Sequence, residues 1–368
     1  MNILVDGILD NNLGDSIMVE TLLRFLLADG HRCFLLCDDP FLYADILARN
    51  PAVSLLPSLG RRELAENGIK LFVRIGGSMF QHNTAREGLA RYLTWRSFRR
   101  LKRWGVRICF LGCNVGPFLS RVGVRATKGI LKTAELVTCR DRESYDFIAG
   151  CRKGGVHWFP DILFTRGDLA PSGREDKLLG VCVYTGYLPS LKRHNLAFCR
   201  FARDVAAAWL REVPEGRVRL FVFDGGYYSD YPAAHRILGE TGQPGRVEIV
   251  GFDGDADRFM VSFGQCGAML GARFHSVVLS ALCGVPVLPV VYANKTGNLL
   301  RDLGFQGRSA DFSRLDEMAP EDAAAALIRR DGLFSDVDPS VFQQAGGHLR
   351  MLREICLGAA PAGGGSAV

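Results

Sequence analysis

Short apolar runs alternate with amphipathic segments along most of the 368 residues, and this alternation constrains the fold more than any other feature. It is the pattern of βαβ units: a parallel strand pair needs a crossover, and helices on both sheet faces leave the strands buried and continuously apolar. Strands are expected at 2–6, 32–37, 70–75, 106–111, 135–139 and 155–159. Residues 166–177, with Gly167, Pro171, Gly173 and six charges, break the rhythm and predict a linker. A second series follows at 178–184, 217–223, 246–250, 267–271 and 285–292. The expectation is an α/β protein of two Rossmann-like domains facing across a cleft, residues 1–165 and 178–358. The second domain is expected to carry a last helix at about 339–356. Its successor, 359–368, is rich in Ala, Gly, Pro and Ser and predicts a disordered tail.

A composition 48% hydrophobic and 23% charged suits a soluble two-domain protein of this length. The longest uncharged stretch, Ser276 to Asn294, is divided by Gly284, Pro286 and Pro289 into a short helix and a strand, so no membrane span is expected. No basic residue precedes the apolar start Ile3-Leu4-Val5, which reads as a first strand rather than a cleaved leader. Eleven cysteines form no CxxC pair. Free thiols in a reducing cytoplasm explain them better than zinc, and no metal site is expected.

Ligands of open α/β sheets bind beyond the carboxyl ends of the strands. Five such loops are unusual. Asp10-Asn11-Asn12-Leu13-Gly14-Asp15 follows the first strand, with Asp15 or Ser16 opening a helix, and Gly76-Gly77-Ser78-Met79-Phe80-Gln81 is a turn that exposes backbone N–H groups. Gly112-Cys113-Asn114-Val115-Gly116-Pro117 and Arg140-Asp141-Arg142-Glu143-Ser144 follow later strands. In the fifth, Gly271-Ala272-Arg273-Phe274-His275-Ser276, two basic side chains lie between apolar runs. With Ser276 read as the cap of a helix over Val277 to Cys283, Arg273 and His275 fall where unpaired N–H groups and the helix dipole favour an anion. Tyr292-Ala293-Asn294-Lys295 repeats the arrangement at the next strand end. A small molecule carrying carboxylate or phosphate is implied.

The ordered set Asn12-x-Gly14-Asp15, Gly76-Gly77-Ser78-x-Phe80, Gly112-x-x-x-Gly116-Pro117, Arg140-Asp141-x-x-Ser144, Arg273-x-His275 and Tyr292-x-x-Lys295 resembles the polysaccharide pyruvyltransferase family over roughly residues 1 to 300. The resemblance implies a glycosyltransferase-B-like fold. It also implies transfer of the pyruvyl group of phosphoenolpyruvate to a sugar, with a cyclic ketal formed across two hydroxyls and phosphate released. Phosphoenolpyruvate is then a co-substrate, and no metal or redox cofactor is implied. Arg140, Arg273 and His275 match the family's donor-contacting positions. Asn12, Gly14 and Asp15 look acceptor-facing, with Gly76, Gly77 and Ser78 on the same side. Residues 185–235 match no motif of the family.

The residue types suit that chemistry. Phosphoenolpyruvate becomes electrophilic at C2 once C3 gains a proton, which a histidinium at His275 can supply. Guanidinium forks bind carboxylate and phosphate bidentately, the role expected of Arg273 and Arg140, while Lys295 would face the leaving phosphate as a point charge. Sugar hydroxyls are poor nucleophiles, so a carboxylate base is expected at Asp15, with Asp161 as a second candidate.

Other readings are weaker. Asp253-Gly254-Asp255-Ala256-Asp257 lacks the glycine and glutamate an EF-hand needs, having Arg258 and Gly264 at those places, and reads as an acidic helix start. There is no GxxxxGK[ST] and no nucleic-acid motif. Between Glu87 and Glu135 lie eleven Lys or Arg and no Asp or Glu, with Trp95, Phe98 and Trp104 interleaved. Residues 91–107 could therefore rest on an anionic membrane surface, where a lipid-linked acceptor would lie, or form a solvated helix face. Two alternatives to a pyruvyltransferase are a nucleotide-sugar glycosyltransferase and a non-catalytic glycan-binding or assembly protein of the same fold.

Overall fold

The computed structural model describes residues 1–358 except 8–10, 40–42, 83–84, 119, 171–172, 227–228, 244 and 336. Asp10 of the first loop, Pro171 of the linker and the 359–368 tail thus lie outside the described residues. The chain forms two compact units. One comprises Met1–Leu9, Asp15–Thr165 and Pro339–Val368, and the other Asp10–Gly14 and Arg166–Asp338.

The first unit carries β1 (Asn2–Gly7), β2 (Arg32–Leu36), β3 (Ser54–Leu56), β4 (Ile69–Ile75), β5 (Phe80–His82), β6 (Arg107–Cys113), β7 (Val115–Phe118), β8 (Leu136–Cys139) and β9 (Val156–Trp158). Seven of them form a parallel sheet ordered β3-β2-β1-β4-β6-β8-β9, and β5 pairs with β7 in a small parallel ribbon. Strand order reverses between β1 and β4, the point at which a doubly wound sheet opens a crevice. The second unit carries β10 (Glu175–Cys182), β11 (Arg217–Val222), β12 (Val247–Gly251), β13 (Cys266–Gly271), β14 (Val287–Val291) and β15 (Ala310–Asp311), ordered β12-β11-β10-β13-β14-β15 and again parallel. Its reversal falls between β10 and β13.

Burial explains the apolar runs. All six residues of β13 are buried, and the helix Asn195–Glu212 covers the second sheet with Phe198, Phe201, Ala202, Val205 and Trp209. The stretch Ser276 to Asn294 is indeed split, contributing to the helix Phe274–Leu282 and to β14. Among the described residues no helix is long and apolar enough to cross a membrane. Asp255 caps the helix Ala256–Gly264 by accepting from the Arg258 N–H at 3.0 Å, as the acidic-start reading of that segment expects.

Four boundaries differ from expectation. The short strands β3, β5, β7 and β15 have no recognisable period in two to four residues. The first helix opens at Leu13, with Asp15 in its first turn rather than at its cap. The last helix is two, Pro339–Ala345 and Gly347–Cys356, separated at Gly346. Expected with the second half, both belong instead to the first unit. Leu352, Ile355 and His348 are fully buried there.

Candidate functional site

In the second unit the reversal point brings together the ends of β10 and β13. Arg273 caps the helix Phe274–Leu282 with extended backbone, so that helix starts three residues earlier than the Ser276 cap would place it. Ser276 sits at the third helical position instead, where its Oγ accepts from the Arg273 N–H (3.2 Å) and donates to the Arg273 carbonyl (2.6 Å). The loop is thereby closed on itself, and His275 stands in the first turn. Lys295 occupies the equivalent place in the helix Asn294–Asp302 after β14.

Arg273 is 13% exposed and clasped by two carboxylates that the sequence did not single out. Its Nε donates to Asp230 at 2.6 Å and its Nη2 lies 3.3 Å from Asp224. Nη1 makes no hydrogen bond among the described residues. Burial works against the charge, but the Asp230 and Asp224 carboxylates outweigh it and hold the guanidinium protonated well above its ordinary range. Asp230 also accepts from the Thr185 N–H at 2.8 Å. The guanidinium lies 5.3 Å from the centre of the Tyr184 ring, Tyr184 stacks on Tyr292 at 4.1 Å, and Lys295 Nζ lies 5.4 Å from Tyr292. Two cations therefore flank a pair of stacked rings. Cation–π contacts of this kind add to the Asp230 and Asp224 ion pairs in fixing the Arg273 guanidinium.

The Asn12-x-Gly14 motif joins this assembly. Asn12 bridges to Asp224 through backbone and side chain, and the Leu13 N–H donates to the Phe223 carbonyl at 3.0 Å. A Cβ on Gly14 would stand 1.8 Å from His275 Nδ1. The imidazole occupies the place of the missing side chain, which is why the motif needs glycine there.

The first unit holds a second polar assembly. Arg140, expected to hold the donor through its guanidinium fork, is only 1% exposed. Its Nη1 donates to Asp161 at 2.8 Å and its Nε to the Asn114 side-chain oxygen at 2.5 Å. Asn114 in turn donates to Asp141, which caps the helix Arg142–Ala149 through the Ser144 N–H (2.8 Å) and accepts from Ser144 Oγ (2.7 Å). Asp161 is no free base: it is fully buried, and its other oxygen accepts from the Leu163 N–H at 2.9 Å. The glycine pair beside this assembly has two distinct jobs. Gly76 adopts φ +144, while a Cβ on Gly77 would collide with Arg140 Nη2 at 1.9 Å. Ser78 is half-buried in the same turn.

A chain of hydrogen bonds continues from there to the last helix. The Gly112 N–H donates to Thr138 Oγ1 at 3.1 Å, and Thr138 Oγ1 lies 2.6 Å from His348 Nδ1. His348 Nε2 is 2.9 Å from the Pro160 carbonyl. A carbonyl only accepts, so Nε2 carries the proton and Nδ1 accepts from Thr138.

Asp6, at the carboxyl end of β1, is a further carboxylate missed in the sequence. Burial lifts its pKa against the pull of Arg74, whose Nε is 2.8 Å away. Apolar strand ends hid Asp6, Asp224 and Asp230 alike. Position was the available signal, since Asp6 and Asp224 sit at or just beyond a strand end and Asp230 immediately precedes a helix whose second residue is Pro232. Among the described residues no three His, Cys, Asp or Glu side chains gather as metal ligands would.

Solved structures similar to this chain share its fold. HepE of Anabaena, solved with UDP and glucose, is 14% identical, with 97% of this chain and 100% of that one covered and a TM-score of 0.57. MnaA of S. aureus, solved with UDP, is 11% identical over 97% and 96% of the two chains at a TM-score of 0.63. The UDP-GlcNAc 2-epimerase of Methanocaldococcus jannaschii is 8% identical over 97% and 99% at 0.62. These are glycosyltransferase-B-type enzymes, and at such identities they establish two Rossmann-like units of that type and nothing about chemistry. No curated protein matches the sequence significantly. The pattern of one family does, across residues 12–294, spanning the Asn12 loop, the Arg140 assembly and Arg273, His275 and Tyr292, and ending one residue before Lys295: the chain belongs to the polysaccharide pyruvyl transferase family.

Proposed function

We propose that the protein transfers the pyruvyl group of phosphoenolpyruvate to a sugar of a surface polysaccharide or of its lipid-linked precursor. The observation that carries this reading is the row Arg273, Tyr184, Tyr292, Lys295, two fixed cations on stacked rings at the reversal point of the second sheet, with His275 in the adjoining first turn. Arg273 Nη1 and Lys295 Nζ suit the carboxylate and phosphate of the donor, and helix first turns add unpaired N–H groups. His275 gives a proton to C3, one sugar hydroxyl adds to C2, and the second displaces phosphate, whose departing oxygen takes up the remaining proton. Asp15, half-buried in the first turn of its helix, is the carboxylate assigned to receive the hydroxyl proton. Arg140 differs from the role expected of it. With its fork engaged by Asp161 and Asn114, it orders the Gly76-Gly77-Ser78 turn on the acceptor side rather than holding the donor directly.

The test is incubation with phosphoenolpyruvate and a panel of lipid-linked and synthetic glycans, following phosphate release and a mass gain on the glycan. Both should appear together. Glycan modification from a UDP-sugar, without dependence on phosphoenolpyruvate, would overturn the reading in favour of a glycosyltransferase. Binding of glycan without turnover of either donor would leave a non-catalytic protein.

A further inference from the structure

The acid-free stretch between Glu87 and Glu135 folds into two packed helices, Ala85–Arg103 and Arg121–Leu131, joined through β6 and β7. Not all of its cations are free. Arg91 donates to the Gln81 carbonyl at 3.0 Å, and Arg107 pairs bidentately with Glu135 at 2.6 and 2.9 Å, which removes both ends of the 91–107 segment from any surface role. Arg96, Arg99, Arg100, Lys102, Arg103 and Lys132 are exposed, and among the described residues none pairs with a carboxylate.

Between the two helices lies a groove of about 380 Å³ lined by Trp95, Arg99, Lys102, Arg103, Gly129, Lys132 and Thr133. Gly129 makes it possible: a Cβ there would stand 2.4 Å from the Trp95 ring, so the indole lies flat on the bare backbone as an apolar floor. Arg99 sits 5.5 Å from the indole centre, and the other cations ring the mouth. The two helices also expose large apolar side chains beyond the groove. Tyr92, Leu93, Trp104 and Val122, between 37% and 58% exposed, all belong to these two helices or the turn after the first. Tyr92, Arg96, Arg99 and Arg103 recur at i, i+4, i+7 and i+11, so aromatic and basic groups share one helical face. The whole chain carries only +6 against eleven cations in this stretch, so the remainder is net acidic and an anionic surface would orient the molecule with this face towards it.

We infer that this groove is a membrane-docking site that takes the phosphate of an anionic lipid, with the exposed Tyr92, on the helical face of Arg99 and Arg103, entering the headgroup layer beside it. Four cations with no carboxylate among the lining residues match a phosphate, and the apolar Trp95 floor with Tyr92 on the same helical face matches the glycerol and first methylenes of a lipid rather than a free anion in water. Lys132 separates this inference from a simple basic helix, because it lies outside residues 91–107 and reaches the groove from the other side. The inference is independent of the reaction proposed above.

Vesicle co-sedimentation tests it with the full chain. Vesicles of phosphatidylcholine with 30% phosphatidylglycerol should bind the protein and pure phosphatidylcholine vesicles should not, with binding lost as salt shortens the Debye length from about 10 Å at 0.1 M to about 3 Å at 1 M. Lys132→Glu and Arg103→Glu should each weaken binding roughly tenfold. Arg100→Glu, on the same helix and equally exposed but outside the groove, should cost less than about threefold. Thermal melts of the three variants should match the wild type. Equal losses for all three would reduce the effect to diffuse charge and overturn the groove. Release from vesicles by millimolar inorganic phosphate at constant ionic strength would make it a free-anion site and overturn the lipid. Absence of wild-type binding would overturn both.

Discussion

A missing side chain organises the candidate donor site. The His275 ring fills the space a Cβ on Gly14 would need, so Gly14→Ala should swing the imidazole out of the first turn while leaving the helix itself intact. Phosphate-release kinetics should fall about a hundredfold or more, the contribution typical of a general acid, with the melting temperature little changed. His275→Ala should lose as much for the same reason, and turnover near wild type in that variant would remove the residue from the chemistry. Arg273→Lys should raise the KM for phosphoenolpyruvate at least about tenfold, because an ammonium cannot contact Asp230, Asp224 and the Tyr184 face together while offering a free edge. An unchanged KM would show that the donor does not meet Arg273.

At the scale of elements, the hydrogen-bond path from Gly112 through Thr138 and His348 to Pro160 ties β6 and β8 to the last helix. Burial pushes the His348 imidazole down to about 4, from an unfolded value near 6.5. The folded state prefers the neutral ring, so its stability is full above pH 6.5 and falls as the pH drops towards 4, by on the order of 3 kcal/mol. Urea unfolding between pH 7 and 4 should show that slope, and His348→Gln, which keeps a donor for Pro160 but does not titrate, should flatten it. His348 was illegible in the sequence because its partners are a strand hydroxyl and a carbonyl roughly two hundred residues away. Long strands were legible because burial on both faces writes a continuous apolar run, and β13 and β14 appear within two or three residues of where those runs fall. The motif positions were legible too, but not their partners: Arg273 could be recognised as a cation set between apolar runs, whereas Asp230 and Asp224, which make its burial tolerable, could not be matched to it, nor Asp161 to Arg140.

At the scale of the whole molecule, the first unit is closed by the end of the chain. Residues 339–358 place Leu352, Ile355 and His348 in its core, and a cut after Asp338 exposes what they cover. Losing two fully buried aliphatic side chains alone costs about 4–10 kcal/mol, comparable to the whole stability of a typical domain. The truncated protein should therefore lose the cooperative melt of its first unit, and a sharp, two-unit melt would refute this. The same closure sets an order of events during synthesis. The strands of the seven-stranded sheet emerge within the first 165 residues, but the helix that seals β6 and β8 is translated only after another whole unit has been made. At ribosomal speeds of about 5–20 residues per second that interval lasts on the order of ten seconds or more. For that time the nascent first unit exists with an open seam, and the second unit, though later in sequence, is the first of the two that can be finished.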